Sequence, residues 1–322
     1  MDKKRLIKLL KIILPLALGI FLVIYSYMTT SQEDKETIYR YIKEANYFWV
    51  AISLVMGVLS HWSRAYRWSY LLEPMGYKPK MFNNFMAVSI GYFANLGIPR
   101  SGEVLRATTV AGYENIPFEK AFGTIVAERI IDFIMLVLIV GIALILQTAS
   151  IVEILNERGF SFKSLLIAAV IGVIGIVIFI RFIKNAKHPF ALKLKTFING
   201  LLEGVVSIFK MKKKWAFLFH TFFIWSMYVF MFWIIKFSIS EDVYLEFGVV
   251  LVGFIAGAFA MSASNGGIGW FPIAVTTAFA AFGISEAYGE AFGWIMWISQ
   301  TLLVAFLGIL SFLLLPFYNR NR

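Results

Sequence analysis

The apolar residues of this chain arrive in unbroken blocks, and that feature limits its fold more than any other. Residues 133–146, 165–180 and 301–315 carry no charged side chain. A bilayer-spanning helix needs about 20 mostly apolar residues, and only helices and closed barrels satisfy every backbone polar group in lipid. A membrane barrel would show alternating segments of about 10 residues, and none is evident. The chain is 60% hydrophobic and only 15% charged over 322 residues, whereas soluble domains carry about 25% charged residues. The expected fold class is all-α: a polytopic transmembrane helical bundle forming a single domain over residues 1–322.

The amino-terminal stretch carries Lys3, Lys4, Arg5, Lys8 and Lys11 and then runs apolar to about residue 28. A cleaved signal peptide has a shorter apolar core, of about 7–15 residues, and a small-residue cleavage site. This run is therefore expected to be a retained first span. Cysteine is absent, which removes disulfides, thiolate nucleophiles and cysteine–metal sites.

Six stretches read as full spans: 9–28, 47–61, 121–146, 164–182, 215–237 and 290–317. Two further apolar stretches, 81–110 and 245–283, are interrupted near the middle. The first breaks around Pro99, Arg100, Ser101 and Gly102, and the second around Asn265, Gly266, Gly267 and Gly269. Basic residues gather at the amino terminus, in 64–80, in 181–214 and in the tail, whereas 31–44, 148–163, 238–246 and 285–290 are acidic or mixed. Lys and Arg mark the cytoplasmic side. Every basic segment reaches that side only if each interrupted stretch enters and returns as a re-entrant hairpin.

This arrangement is an inverted repeat. Span, hairpin, span over 47–146 recurs with opposite orientation over 215–317, and both termini are cytoplasmic. Inverted repeats with helices broken at mid-depth mark transporters; two kinked hairpins with no transport role are the alternative. The net charge of +11 calls for no nucleic acid. The basic stretch 183–214, interleaved with apolar residues, is expected to lie on anionic lipid of the inner leaflet of the cell membrane.

The charges inside the apolar stretches carry the functional expectation, because ionisable groups in a membrane face a cavity or one another. Ser101 is the expected N-cap of the helix after the first break, with Glu103 in its first turn. Glu103 and Arg106 are three residues apart and share a face. They form either a head-group site or an ion pair that pins the hairpin. Glu128, Arg129 and Asp132 sit within about one turn of the next span and are expected to meet that hairpin. Arg64 and Arg67 share a face, with Trp62 and Trp68 expected at the membrane interface level. They read either as an interfacial anchor or as phosphate contacts, which suit the planar guanidinium. Around Gly266 and Gly267 the break holds no charge. Asn265 there is a candidate cap, and free N–H groups at the next helix start could bind an anion; close packing by small residues is the alternative. His61, His188 and His220 show no ligand spacing, and no P-loop, H-E-x-x-H or G-x-S-x-G motif is present. No metal or cofactor is expected.

Together, Arg64-Ala65-Tyr66-Arg67-Trp68, Pro99-Arg100-Ser101-Gly102-Glu103-Val104-Leu105-Arg106, Glu128-Arg129-Ile130-Ile131-Asp132 and the Gly-Gly-Ile-Gly break resemble the lysylphosphatidylglycerol synthase transmembrane region. This is a flippase-like family of bacterial and archaeal membrane proteins, and the resemblance runs over roughly residues 8–315. It implies lipid translocation, since in bifunctional members such a region flips an aminoacylated phospholipid that a separate soluble domain makes. This chain ends at Arg322 without such a domain, so a transporter is expected rather than a lysyltransferase. In the family the second break often reads proline-glycine-glycine and continues to a glutamate. Here Asn265 stands for that proline and Pro272 sits near the glutamate's place, which leaves the family's substrate open for this chain.

The expected function is movement of an anionic or modified lipid, such as a phospholipid, glycolipid or polyprenyl carrier, between leaflets. Arg64 and Arg67 would receive the head group. Arg100, Ser101, Glu103, Arg106, Glu128, Arg129 and Asp132 would form the polar site with the second break, and Glu103 or Glu128 would carry a coupling proton. The alternatives are a membrane-embedded transferase on a lipid-linked substrate and a non-catalytic partner of a separate synthase. A homo-oligomer is compatible with each.

Overall fold

The computed structural model describes residues 17, 19–98, 100–157, 211–239, 243–264 and 266–320, and all regular structure among them is helical. In chain order the helices are α1 (Gly19–Thr29), α2 (Gln32–Lys43), α3 (Tyr47–Leu72), α4 (Met81–Gly97), α5 (Ser101–Glu114), α6 (Phe118–Leu146), α7 (Thr148–Glu157), α8 (Lys214–Trp233), α9 (Phe247–Ala263), α10 (Trp270–Ala280) and α11 (Glu286–Tyr318). Two compact units divide them: Met1–Glu128 with Trp215–Arg322, and Arg129–Lys214.

Among the described residues, α6, α8 with its 3₁₀ extension to Ser238, and α11 are long and apolar enough to cross a membrane. The pair α2 and α3, bent by 71° where they join, makes a fourth candidate. The expected six spans are thus met by three or four candidates. The stretch 164–182 and nearly all of the basic stretch 183–214 lie outside the described residues, as does the start of the first span. Two expectations change. The acidic segment 31–44 is not a loop but the helix α2, capped by Ser31, whose hydroxyl accepts from the Asp34 N–H at 3.0 Å. Its Tyr41 is buried in the main core with Phe232, Phe279, Tyr288 and Phe292. The span expected to end at residue 61 continues to Leu72, which carries Arg64 and Arg67 on the same helix as its apolar half.

In the larger unit α11 is the reference axis. α4 runs against it: the Asn83 and Asn319 side-chain amides bond reciprocally at 2.8 and 2.9 Å, and Phe93 lies against Gly308. α5 then folds back along α4, because Gly91 and Gly102 bring the two backbones into direct contact, and at its far end Glu114 accepts from the Asn83 amide and from the Lys80 N–H. α9 and α10 fold back on each other from the opposite end of α11. Gly253 and Gly257 leave room for Phe279 and Phe271, while Gly289 and Gly293 admit the α10 backbone at Thr276 and Pro272. Small residues four apart are how membrane helices approach closely. The two turning points meet halfway along α11. Trp297 donates its indole N–H to the Gly266 carbonyl at 2.7 Å, and a Cβ on Gly266 would stand 2.9 Å from Leu96 Cδ2.

Asn83 and Asn319 are both buried, so loss of the Asn319 amide takes from Asn83 Oδ1 the donor it has there, while Asn83 Nδ2 keeps Glu114. Asn319→Ala is expected to cost about 1–3 kcal/mol, measured as a lowered Tm of the detergent-purified protein. An unchanged Tm would show that the pair does not hold α4 to α11.

In the smaller unit the described residues are 129–157, which hold the rest of α6 and α7, and 211–214. Phe133, Val137 and Ile145 of α6 are exposed, an apolar surface of the kind that marks a membrane or protein contact.

Candidate functional site

Three buried arginines converge on one carboxylate. Arg64 and Arg67 come from successive turns of α3, Arg106 from the second turn of α5 and Glu128 from α6. All four side chains are at most 5% exposed. Glu128 Oε1 receives Arg67 through Nη2 at 2.8 Å and Nε at 3.2 Å, with Arg64 Nη1 at 3.6 Å. Oε2 pairs with Arg106 Nη1 at 2.7 Å. Three guanidiniums and one carboxylate give these four side chains a formal charge of +2.

Neighbouring residues fix where each guanidinium points. The Arg106 guanidinium carbon lies 3.9 Å from the Trp68 ring centre, a cation–π stack that gains strength out of water. Trp68 is held in turn by its indole N–H, which donates to Thr124 Oγ1 at 2.9 Å. Thr124 precedes Glu128 by one helical turn, so α6 supplies both the carboxylate and the anchor of the platform. Arg67 Nη1 donates to Thr221 Oγ1 at 3.4 Å. Arg64 Nη2 donates to the Tyr228 hydroxyl at 3.2 Å, and that hydroxyl shares a hydrogen bond with Tyr92 at 3.0 Å. His61 stacks on Tyr92 with ring centres 4.5 Å apart. Hydrogen bonds thus link Tyr92 through Tyr228 to Arg64, with the His61 ring stacked at the end.

Several sequence expectations change at this point. Arg64 and Arg67 are not interfacial anchors, and Trp68 is not an interface residue: all three are buried, at 2%, 0% and 0% exposure. Ser101 does not cap α5. Its hydroxyl donates back to the Ile98 and Ala94 carbonyls, and the Gly102 N–H is taken by Asn95 Oδ1 at 2.8 Å. The cap position belongs to Arg100, an exposed residue in the left-handed region at φ 61°. Glu103 lies in the first turn of α5, half-buried. Asn265 lies outside the described residues. Gly266 and Gly267 turn the chain with φ +62° and +80°, and Gly269 is the residue before α10. The start of α10 has few N–H groups to offer an anion, since Phe271 N–H bonds the Gly267 carbonyl and Pro272 has none. In the smaller unit Arg129 pairs with Asp132 at 3.8 Å, one helical turn apart as the spacing predicts. Among the described residues no three metal-ligating side chains gather.

Sequence reasoning missed Trp68 as a platform, and it missed Tyr92, Tyr228, Thr124 and Thr221. The four-residue spacing of Thr124 and Glu128 was a readable signal. The tyrosines come from helices 136 residues apart and left none.

Comparison with known proteins agrees with the motifs. The UPF0104 membrane protein MJ1595 of Methanocaldococcus jannaschii is 30% identical over 115 residues, which is 35% of this chain and 34% of that protein. The glycosyltransferase AglD of Haloferax volcanii is 31% identical over 97 residues, 30% of this chain and 16% of that protein. The chain therefore spans about a third and about a sixth of these two relatives. No solved structure matches it. The family model described as lysylphosphatidylglycerol synthase TM region matches residues 12–317, so this membrane-embedded protein belongs to that family.

Proposed function

We propose that this protein moves an anionic or modified lipid between the leaflets of the cell membrane, and that the arginines around Glu128 receive the phosphate-bearing head group. The observation that carries this reading is the burial of Arg64, Arg67 and Arg106 around a single carboxylate. Charge at membrane depth is costly and is kept where it serves a pathway, and guanidinium forks match phosphate geometry. Membership of a lipid-synthase membrane family supports a lipid as the cargo.

The fold supports a transporter as well. On this reading α4 with α5 and α9 with α10 are the two re-entrant hairpins of an inverted repeat within six full spans, entering from opposite sides, with both termini cytoplasmic. Their turning points at Leu96 and Gly266 touch, which suits alternating access around a mid-depth site. Anionic lipid of the inner leaflet, a second copy of the chain or a separate synthase would be its partners.

The test is reconstitution of the purified protein in liposomes doped with fluorescent phosphatidylglycerol, followed by dithionite quenching of the outer leaflet. The wild type is expected to make the inner-leaflet pool accessible, and Arg64→Ala to slow that exchange at least tenfold. If no anionic, glycosylated or polyprenyl phosphate lipid moves, the reading fails. The glycosyltransferase name of one relative favours a second reading, a membrane-embedded transferase. Turnover of a lipid-linked acceptor with a soluble sugar donor in detergent would establish it.

A further inference from the structure

A second polar site lies far from the arginines. A cleft of about 490 Å³ opens between α1, the start of α2, α10 and the start of α11, within the size range of small-molecule sites, about 300–1,000 Å³. The Ser53–Gln300 hydrogen bond and the Gly57–Leu303 contact align α3 with α11 in the same direction. By that alignment Glu290 in the cleft and Arg64 are separated by about 21 residues of helix, roughly 30 Å at 1.5 Å per residue.

The chemistry of its wall is unusual. A hydroxyl has one proton to give and two lone pairs to accept with, and the six serine and threonine hydroxyls that line the cleft all give their proton to the protein. Thr29 and Thr30 donate to the Tyr25 and Ser26 carbonyls at 2.9 and 2.7 Å. Thr276 and Thr277 donate to the Pro272 and Ile273 carbonyls, each at 2.8 Å. Ser26 donates to Glu290 Oε1 at 2.9 Å and Ser31 to Asp34 Oδ2 at 2.6 Å. What the hydroxyls turn toward the cleft is lone pairs. Glu286 completes the set of carboxylates, and among the described residues no lysine or arginine lines the space. Apart from the Tyr25 hydroxyl, the polar side chains of the wall have acceptor lone pairs and no proton left to offer, Ser31 having already taken the Asp34 N–H on one of its lone pairs.

Such a wall selects a ligand rich in donors. An ammonium group presents three N–H bonds from a single point and could engage only one corner of an array contributed by four helices. A polyhydroxyl ring distributes its O–H bonds around its rim and can donate to several sides at once. The geometry points to a binding site for the neutral polyhydroxyl part of a lipid head group, a sugar or a sugar-like polyol. Its physiological meaning rests on the lipid-transport reading; its existence as a site does not.

The probe is a lipid without phosphate, so that its own retention does not depend on phosphate contacts at the arginine centre. The full chain is placed in nanodiscs of phosphatidylcholine with either a monogalactosyl or a phosphatidylethanolamine diacyl lipid, and retained lipid is counted by native mass spectrometry. Wild type is expected to retain the galactolipid over phosphatidylethanolamine. Glu290→Gln and, separately, the conservative Thr277→Val at an exposed position should each lower that retention at least fivefold, while Gly112→Ala, where a Cβ meets nothing within 4 Å, should leave it unchanged. Preferential retention of phosphatidylethanolamine, or galactolipid retention indifferent to both cleft variants, overturns the proposal. Phosphatidylglycerol exchange in liposomes tests the transport reading separately and can succeed where this site fails.

Discussion

Glu128→Ala is expected to be the most damaging single substitution in this chain. It removes the carboxylate that Arg64, Arg67 and Arg106 share within 3.6 Å. Removing one partner of a buried ion pair costs about 3–5 kcal/mol, because the remaining charge stays desolvated. Here the remaining charge is three guanidiniums, which would then repel one another. The protein should melt well below wild type in detergent and lose lipid exchange in liposomes. Glu128→Gln keeps the shape and one acceptor for Arg67, so it should lie between the two in Tm and still lack exchange. If Glu128→Ala melts with wild type, the carboxylate does not organise the arginines and the site as described is wrong.

The second large effect is expected from a residue with no side chain. Gly102 faces the carbonyl of Gly91 across the α4–α5 turn, and a Cβ there would also stand 2.7 Å from the Asn95 amide nitrogen. The backbone carbonyl cannot step aside, so Gly102→Val must push α5 away from α4. Overpacking of this kind costs about 1–3 kcal/mol. Arg106 lies one helical turn beyond Gly102, and a displaced α5 carries its guanidinium off Trp68 and Glu128. The expected result is a protein that still inserts in membranes but exchanges lipid at least tenfold more slowly. Gly112→Ala on the same helix is the control, since a Cβ there meets nothing within 4 Å, and it should behave as wild type. Loss of exchange in both variants would point to helix propensity rather than hairpin geometry.

These two residues also mark what the sequence could and could not reveal. Glu128 stood out because a carboxylate in an apolar run is expensive and therefore informative. The breaks stood out because glycine and proline punctuate helices. Pairings are a different matter. Arg106 reaches a carboxylate 22 residues further along the chain, and Arg67 reaches the same carboxylate from 61 residues away. Nothing local encodes such distances. Ser101 has the composition of a cap, yet Asn95 across the turn takes the nearby Gly102 N–H, because a tight hairpin brings a competing acceptor within reach. Trp68 read as an interface residue by type; α3 continues past the point where charge suggested it should end, and that continuation buries the indole. The cleft near Glu290 left no signal, because its hydroxyls are scattered over α1, α10 and the segment between α1 and α2, and only their hydrogen-bond directions give it meaning.

The position of α11 has a consequence for how the protein is made. This helix is the last of those described to leave the ribosome, yet it supplies partners to residues synthesised at the outset. Ser26 bonds Glu290, Ser53 bonds Gln300 and Asn83 bonds Asn319, across 264, 247 and 236 residues. Until α11 arrives, those polar groups wait in the lipid or at its edge without these partners, and the glycine faces that seat α10 have not been made. Assembly of the earlier helices is thus provisional, in keeping with the slow closure of long-range contacts. Quality control in the membrane would therefore see a chain stalled before α11 as a set of loosely associated helices, and the last helix as the element that commits it to a single native form.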